Sequence, residues 1–232
     1  MNLLALDTSS EGCSAALLQN GRLTDRFTLA PRGHTRLLMP MVRELLAEQG
    51  LAVSALDAVA FARGPGSFTG LRIATGVVQG LAYGLGIAVV PVSSLAAVAA
   101  RVARESPAVT TDTGIAVAFD ARMGEVYWGC YRLNDGRPEP LAPERVCAPG
   151  SVTLPNGAHQ WLGAGSGWTL QADMPIAVTS RVAHPDTSCV PRAREVAILG
   201  ELAWQRGETV PAFEAMPVYL RDEVTWQKLP GR

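Results

Sequence analysis

Leu3-Leu4-Ala5-Leu6-Asp7-Thr8-Ser9-Ser10 is an apolar run closed by an acidic, hydroxyl-rich turn, and Ile115-Ala116-Val117-Ala118-Phe119-Asp120-Ala121-Arg122 repeats the device in the second half of the chain. Each passes a glycine, Gly12 or Gly124, and enters a second strand-like run, Cys13–Gln19 or Val126–Tyr131. The first run then turns at Asn20-Gly21-Arg22 and the second at Asn134-Asp135-Gly136-Arg137. Asn-Gly and Asp-Gly between such runs signal hairpins, because both central residues of a type I′ turn need positive φ. The chain therefore reads as an internal duplication, two lobes meeting at a cleft.

Outward from these passages, the apolar pattern predicts strands over 2–7, 13–19 and 22–29, a helix over 34–49, a strand over 57–62, a helix over 68–85, a strand over 87–91 and a helix over 94–105. Three antiparallel strands followed by alternating helix and strand give a mixed sheet with helices on its faces, the order of a ribonuclease-H-like lobe. The small, polar segment 106–114 marks the boundary between an N-terminal lobe, 1–106, and a less regular C-terminal lobe, 107–232. In the second lobe, strands are expected over 114–120, 125–132 and about 139–147, with shorter ones at 159–162 and 176–178. A helix over 191–206 opens at Pro191 and stops at Gly207. The fold class is α/β, two such lobes in one chain.

Composition removes several function classes. The 232 residues are 48% hydrophobic, ample for a core, and the net charge of -1 predicts no strong sequence-independent attraction to nucleic acid. Lys228 is the only lysine, so a phosphate-gripping Walker A loop is excluded. His34, His159 and His184 have no zinc-hydrolase spacing, and Ser67 has Pro65 and Thr69 where a hydrolase elbow needs glycines. Cys13, Cys130, Cys147 and Cys189 form no C-x-x-C pair, which favours reduced thiols and the cytoplasm. No apolar run spans a bilayer, and the start of the chain lacks the basic segment of a signal peptide. No metal, no cofactor and no membrane association are expected.

Two passages are candidates for chemistry. At the end of the first strand, the hydroxyls and N–H groups of Asp7, Thr8 and Ser9 are suited to face a phosphate, or equally to bond one another in a turn. In Arg63-Gly64-Pro65-Gly66-Ser67-Phe68-Thr69-Gly70-Leu71-Arg72, the glycines permit a sharp strand-to-helix turn and Ser67 suits an N-cap. The helix start offers N–H groups to an anion, to which Arg72 adds charge; a plain capped connection accounts for the same residues. Asp7, Thr8, Ser9 and Ser67 are thus candidates for a vestigial phosphate or nucleotide loop. Asp120 is expected to pair with Arg122, or Arg122 with Glu125. Gly163–Gly167 is a weaker nucleotide-loop candidate, and Arg192, Arg194 and Arg221 are either contacts to RNA phosphates or partner carboxylates, or solvated.

The two N-terminal helices carry a different signal. Over 68–83 apolar residues surround most of the circumference, while Gly76 and Gly80 form a small-residue stripe one turn apart. The helix over 34–49 crowds Leu37, Leu38, Met41, Val42, Leu45 and Leu46 onto two faces, with Pro40 inviting a kink. Either the helices cover each other, or Leu38, Met41, Val42, Leu45, Ile73, Gly76, Val77 and Gly80 form a partner interface.

Leu6-Asp7-Thr8-Ser9, the run Arg63–Arg72, Asp120-Ala121-Arg122-Met123-Gly124-Glu125-Val126-Tyr127 and Pro217-Val218-Tyr219-Leu220-Arg221 together resemble the TsaB (YeaZ) family over essentially the whole chain. The resemblance implies the actin and sugar-kinase superfamily fold and a role in forming threonylcarbamoyladenosine in tRNA. It further implies a noncatalytic subunit that pairs through its N-terminal lobe with a TsaD-like transferase, in a system with a TsaE-like ATPase. It also implies that tRNA is reached only through that complex and that the chain self-pairs as a dimer when alone. TsaD-like proteins carry a metal-binding histidine pair on the first helix, whereas this chain has His34 and then Leu38 one turn later. The alternative is a small-molecule kinase or ATPase of the same superfamily, working with Asp7, Thr8 and Gly163–Gly167.

Overall fold

β1 (Asn2–Asp7), β2 (Gly12–Gln19) and β3 (Arg22–Leu29) form an antiparallel meander whose second turn holds Asn20 at φ 51° and Gly21 at φ 80°, the two left-handed positions expected there. β4 (Ala58–Gly64) and β5 (Ala88–Ser93) add in parallel on the far side of β1, giving the order β3-β2-β1-β4-β5. α1 (His34–Glu48) succeeds the meander, α2 (Phe68–Leu85) joins β4 to β5, and α3 (Ser94–Glu105) succeeds β5. The molecule is described by a computed structural model over residues 1–107, 109–134, 136–182 and 184–221. Asp135 of the second expected turn and Lys228 lie outside the described residues.

The second sheet repeats the opening hairpin with β6 (Thr113–Arg122) and β7 (Glu125–Asn134). β8 (Arg137–Pro140) and β9 (Arg145–Cys147) both pair with β7, and β10 (Gln160–Ala164) lies parallel to β6. The single strand expected over 139–147 is therefore two pieces, broken where Pro140 and Pro143 remove ladder donors. The strand expected at 176–178 is instead α4 (Ile176–Thr179), one helical turn after Pro175; so short an apolar run carries no usable period. α5 (Ala193–Gln205) falls within the predicted 191–206.

Side-chain alternation along the strands sorts the core. Leu4, Leu6, Ala15, Leu17 and Phe61 point to one face of the first sheet, under α1 and α2. Leu3, Ala5, Ala16, Leu18 and Ala60 point to the other, where α5 supplies Ala193, Val196 and Ala197. α5 approaches so closely that a Cβ at Gly200 would sit 2.8 Å from the Ala60 Cβ. On the second sheet, Ile115, Val117, Phe119 and Tyr131 meet Leu95, Val98 and Ala99 of α3. The opposite face holds Trp128, Trp161 and Trp168, with Trp168 Nε1 donating to the Ala116 carbonyl at 3.0 Å.

The expected division at 106/107 separates β1–β5 from β6–β10, but it does not separate the helices. α3 comes before the boundary and packs on the second sheet, while α5 comes after it and covers the first. The segment beyond α5 also returns to the first sheet, where Val210 exchanges backbone hydrogen bonds with Val89 at 2.9 and 2.8 Å.

Candidate functional site

β1 and the start of α2 meet backbone against backbone. Asp7, Thr8 and Ser9 are 3% exposed or less. The Ser9 N–H and Oγ donate to Asp7 Oδ1 at 3.0 and 2.6 Å, and Thr8 Oγ1 donates to the Gly70 carbonyl at 2.6 Å. The Ser67 N–H donates to the Ser9 carbonyl at 2.7 Å, and Ser67 Oγ caps α2 by accepting from the Gly70 N–H at 3.3 Å. A Cβ at Gly66 would collide with the Ser9 carbonyl oxygen, and one at Gly70 with that of Thr8. The structure thus brings Asp7, Thr8, Ser9 and Ser67 together, with Thr8 Oγ1, the Ser9 hydroxyl and Asp7 Oδ1 bonded within the chain. Burial pushes the Asp7 carboxyl up to about 6 against the two Ser9 hydrogen bonds that favour its ionised form, and Oδ2 has no partner among the described residues.

His34 opens α1 and ties it to the same loop. Its Nε2 lies 3.1 Å from the Ser10 carbonyl and 3.2 Å from that of Gly12, both acceptors, so Nε2 carries the hydrogen. Among the described residues no group of three His, Cys, Asp or Glu side chains is placed to hold a metal ion. No described helix is long and apolar enough to cross a membrane. Burial pushes the thiols of Cys13 and Cys189 up to about 11 and that of Cys130 to about 12, away from nucleophilic reactivity.

The residues expected at a partner interface divide into three groups. Leu38, Val42 and Leu45 are at most 1% exposed and fill the core beneath α1, which corrects their assignment to an interface. α1 has one inward apolar face, and its outward side carries Arg36, Pro40, Arg43, Glu44 and Glu48; the helix runs through Pro40 uninterrupted. Met41, Ile73 and Val77 are half-buried against the same cluster. Gly76 and Gly80 are exposed with open space where a Cβ would stand, and Gly84 continues their row. Tyr83 beside them is 82% exposed.

Residues 215–221 bring the remaining distinctive passages together. The Val218 N–H donates to the Arg63 carbonyl at 2.8 Å, at the point where Gly64 takes φ 109°. A side chain at Gly64 would sit 2.8 Å from the Val218 carbonyl oxygen. Tyr219 packs on Phe68 with ring centroids 5.6 Å apart and receives a hydrogen bond from Arg72 Nε at 3.2 Å. Arg221 then reaches the second sheet, donating to the Ala121 carbonyl at 3.2 Å and pairing with Glu125. There the tip of the β6–β7 hairpin holds Arg122, Met123 and Gly124 all at positive φ, a strained conformation for the first two. This strap has a faint signal in the sequence: Met216, Val218 and Tyr219 flank Pro217, an apolar segment kept from continuing a helix.

The weaker candidates are occupied internally. Asp120 pairs with Arg122 at 3.1 Å, as the sequence predicts. Arg194 pairs with Asp25 at 2.8 Å, and the Arg192 guanidinium lies 4.1 Å from the Phe27 ring centroid. In the Gly163–Gly167 loop, Gly163 packs against Val182, Pro185 and Trp168, and the Gly165 N–H donates to the Asp186 carbonyl at 2.8 Å.

A family model described as TsaD, tRNA N6-adenosine threonylcarbamoyltransferase, matches residues 28–228. The tRNA threonylcarbamoyladenosine biosynthesis protein TsaB of Escherichia coli is 37% identical over 235 residues, covering all of both chains. The protein of the same name from Haemophilus influenzae is 37% identical over 240 residues, covering all of this chain and 98% of its own. The solved structure of YeaZ from Pseudomonas aeruginosa is 49% identical with a TM-score of 0.88, covering 94% of this chain and 99% of that one. The α/β fold described above, with its two five-stranded sheets, is shared with that structure.

Proposed function

Since the chain belongs to the TsaB (YeaZ) family, which serves tRNA threonylcarbamoyladenosine biosynthesis, we propose that it is a noncatalytic subunit whose α2 face binds a TsaD-like transferase. The observation that carries this reading is the bare outer side of α2. Glycine inside a helix costs about 0.5–1 kcal/mol relative to alanine, yet Gly76, Gly80 and Gly84 stand in open space where alanine would fit. A row of absent side chains admits the close approach of another helix, and half-buried Ile73 and Val77 flank it. The noncatalytic half of the reading is supported by the Asp7 loop, where Thr8 and Ser9 are bonded to the start of α2 and Asp7 Oδ1 is taken by Ser9. In this reading the TsaE-like ATPase and tRNA are met through the complex, in the cytoplasm, and the same face self-pairs with two-fold symmetry when the partner is absent.

The test is Gly80→Leu. The side chain enters solvent in the free protein, so circular dichroism and melting temperature should hold while co-purification with the TsaD-like partner is lost. Undiminished association would remove the proposal.

A further inference from the structure

A groove of about 260 Å³ lies between α2 and the strap, lined by Arg72, Thr75, Gly76, Gln79, Met216, Pro217 and Tyr219. Three properties set it apart from an ordinary surface crease. Among the described residues its only charge is cationic: no carboxylate lines it, and Arg72 makes no ion pair. That guanidinium is held in place, lying 3.8 Å from the Phe68 ring centroid and donating through Nε to Tyr219, which leaves its two terminal nitrogens for a ligand. Thr75, in the groove wall, is only 5% exposed and its Oγ1 has no hydrogen-bond partner among the described residues. A buried hydroxyl left unpaired is costly and marks a place where a partner group is missing. Gln79 does not supply it, since its Nε2 is turned to the Ala215 carbonyl at 3.0 Å.

We propose that this groove receives the carboxylate of an aspartate or glutamate projecting from the helix of the TsaD-like partner that lies along Gly76, Gly80 and Gly84. The inference rests on the reading of the α2 face given above. Arg72 supplies charge and a fork of donors, Thr75 supplies a hydroxyl donor, and Met216 and Tyr219 close the groove over the acid's apolar stem. The groove is continuous with the glycine row through Gly76, which lines both. The strap thereby becomes part of the docking surface, which explains why Phe68, Met216 and Tyr219 remain large, apolar and exposed on it.

The experiment is titration calorimetry of the full chain against the TsaD-like partner at low and high salt, with Arg72→Glu, Thr75→Val and Gly80→Leu. Arg72→Glu should weaken binding at least tenfold and flatten its salt dependence. Thr75→Val should weaken it about threefold while leaving the melting temperature equal or higher, because an unpaired buried hydroxyl has been removed. A merely structural threonine would give the opposite pattern. If the wild-type chain does not bind the partner, the function proposed above fails and this inference with it. If Gly80→Leu abolishes binding while Arg72→Glu and Thr75→Val leave it unchanged, this inference alone is overturned. It is overturned equally if Arg72→Glu disrupts only a self-dimer.

Discussion

Asp7 ends β1 and Asp120 lies two residues before the end of β6, matching places ahead of a tight turn, yet they live in opposite surroundings. Asp7 is fully buried beneath the start of α2, its carboxyl pushed up to about 6 by burial. Asp120 is a third exposed and is satisfied by the Arg122 N–H at 2.8 Å and its guanidinium at 3.1 Å. The difference originates in the elements packed over each hairpin. In the first lobe α2 is inserted between β4 and β5 and drives Gly66 and Gly70 onto the Asp7 loop. In the second the equivalent tip is hydrogen-bonded to Arg221 and Ser166. One copy of the device has become a packing joint, and the other a strained surface tip held by a strap.

The sharpest way to break that comparison is to add one methyl group on each side. Gly70→Ala places a Cβ against the Thr8 carbonyl, a rigid backbone atom, and should destabilise the fold by about 3 kcal/mol or more. Gly124→Ala meets no neighbour and strains only its φ of 74°, so about 1 kcal/mol is expected. Denaturant unfolding of both variants measures the gap; equal losses would mean that the first joint is looser than its geometry implies.

Charge removal gives a smaller effect of opposite sign. An acid whose pKa is raised by folding is stabilised below its unfolded value and loses that benefit as pH climbs through the folded one. For Asp7 the window runs from about 3.8 to about 6. Asp7→Asn should therefore stabilise the protein by about 1–3 kcal/mol at pH 7.5, an advantage that fades toward pH 4. Asp120→Asn should lose a few tenths of a kcal/mol at most, since its Arg122 partner is exposed. Urea midpoints at the two pH values decide it, and a destabilised Asp7→Asn at pH 7.5 would contradict the burial argument.

The most local change is expected at the strap. Arg221→Ala removes a half-buried hydrogen-bonded pair with Glu125 and the contact to the Ala121 carbonyl, about 1 kcal/mol in total. Amide exchange should quicken around 121–125 and stay unchanged around Asp7; a uniform response would deny the strap its local role.

Much of this architecture is legible in the sequence. The repeated apolar run with its Asp and the Asn20-Gly21 turn mark the strands of the opening hairpin without any coordinates, because turn chemistry is local. Gly76 and Gly80 are legible as a stripe for the same reason. Leu38, Val42 and Leu45 are not separable from a partner surface, since a helix wheel shows that a face is apolar but not whether a sheet already covers it. The destinations of α3 and α5 are hidden too: nothing local in Leu95 or Val196 states which sheet it will meet. The strap escapes because an extended apolar segment between prolines has no period to detect.

The exchange of α3 and α5 between sheets has a consequence for any attempt to dissect the protein genetically. Expressing 1–106 alone would strip the cover from Leu3, Ala5 and Ala60 and leave Leu95 and Val98 facing water, and the complementary fragment would suffer the mirror loss. Each half keeps its core covered only with a helix from the other, so the repeated hairpin does not mark out two separable pieces.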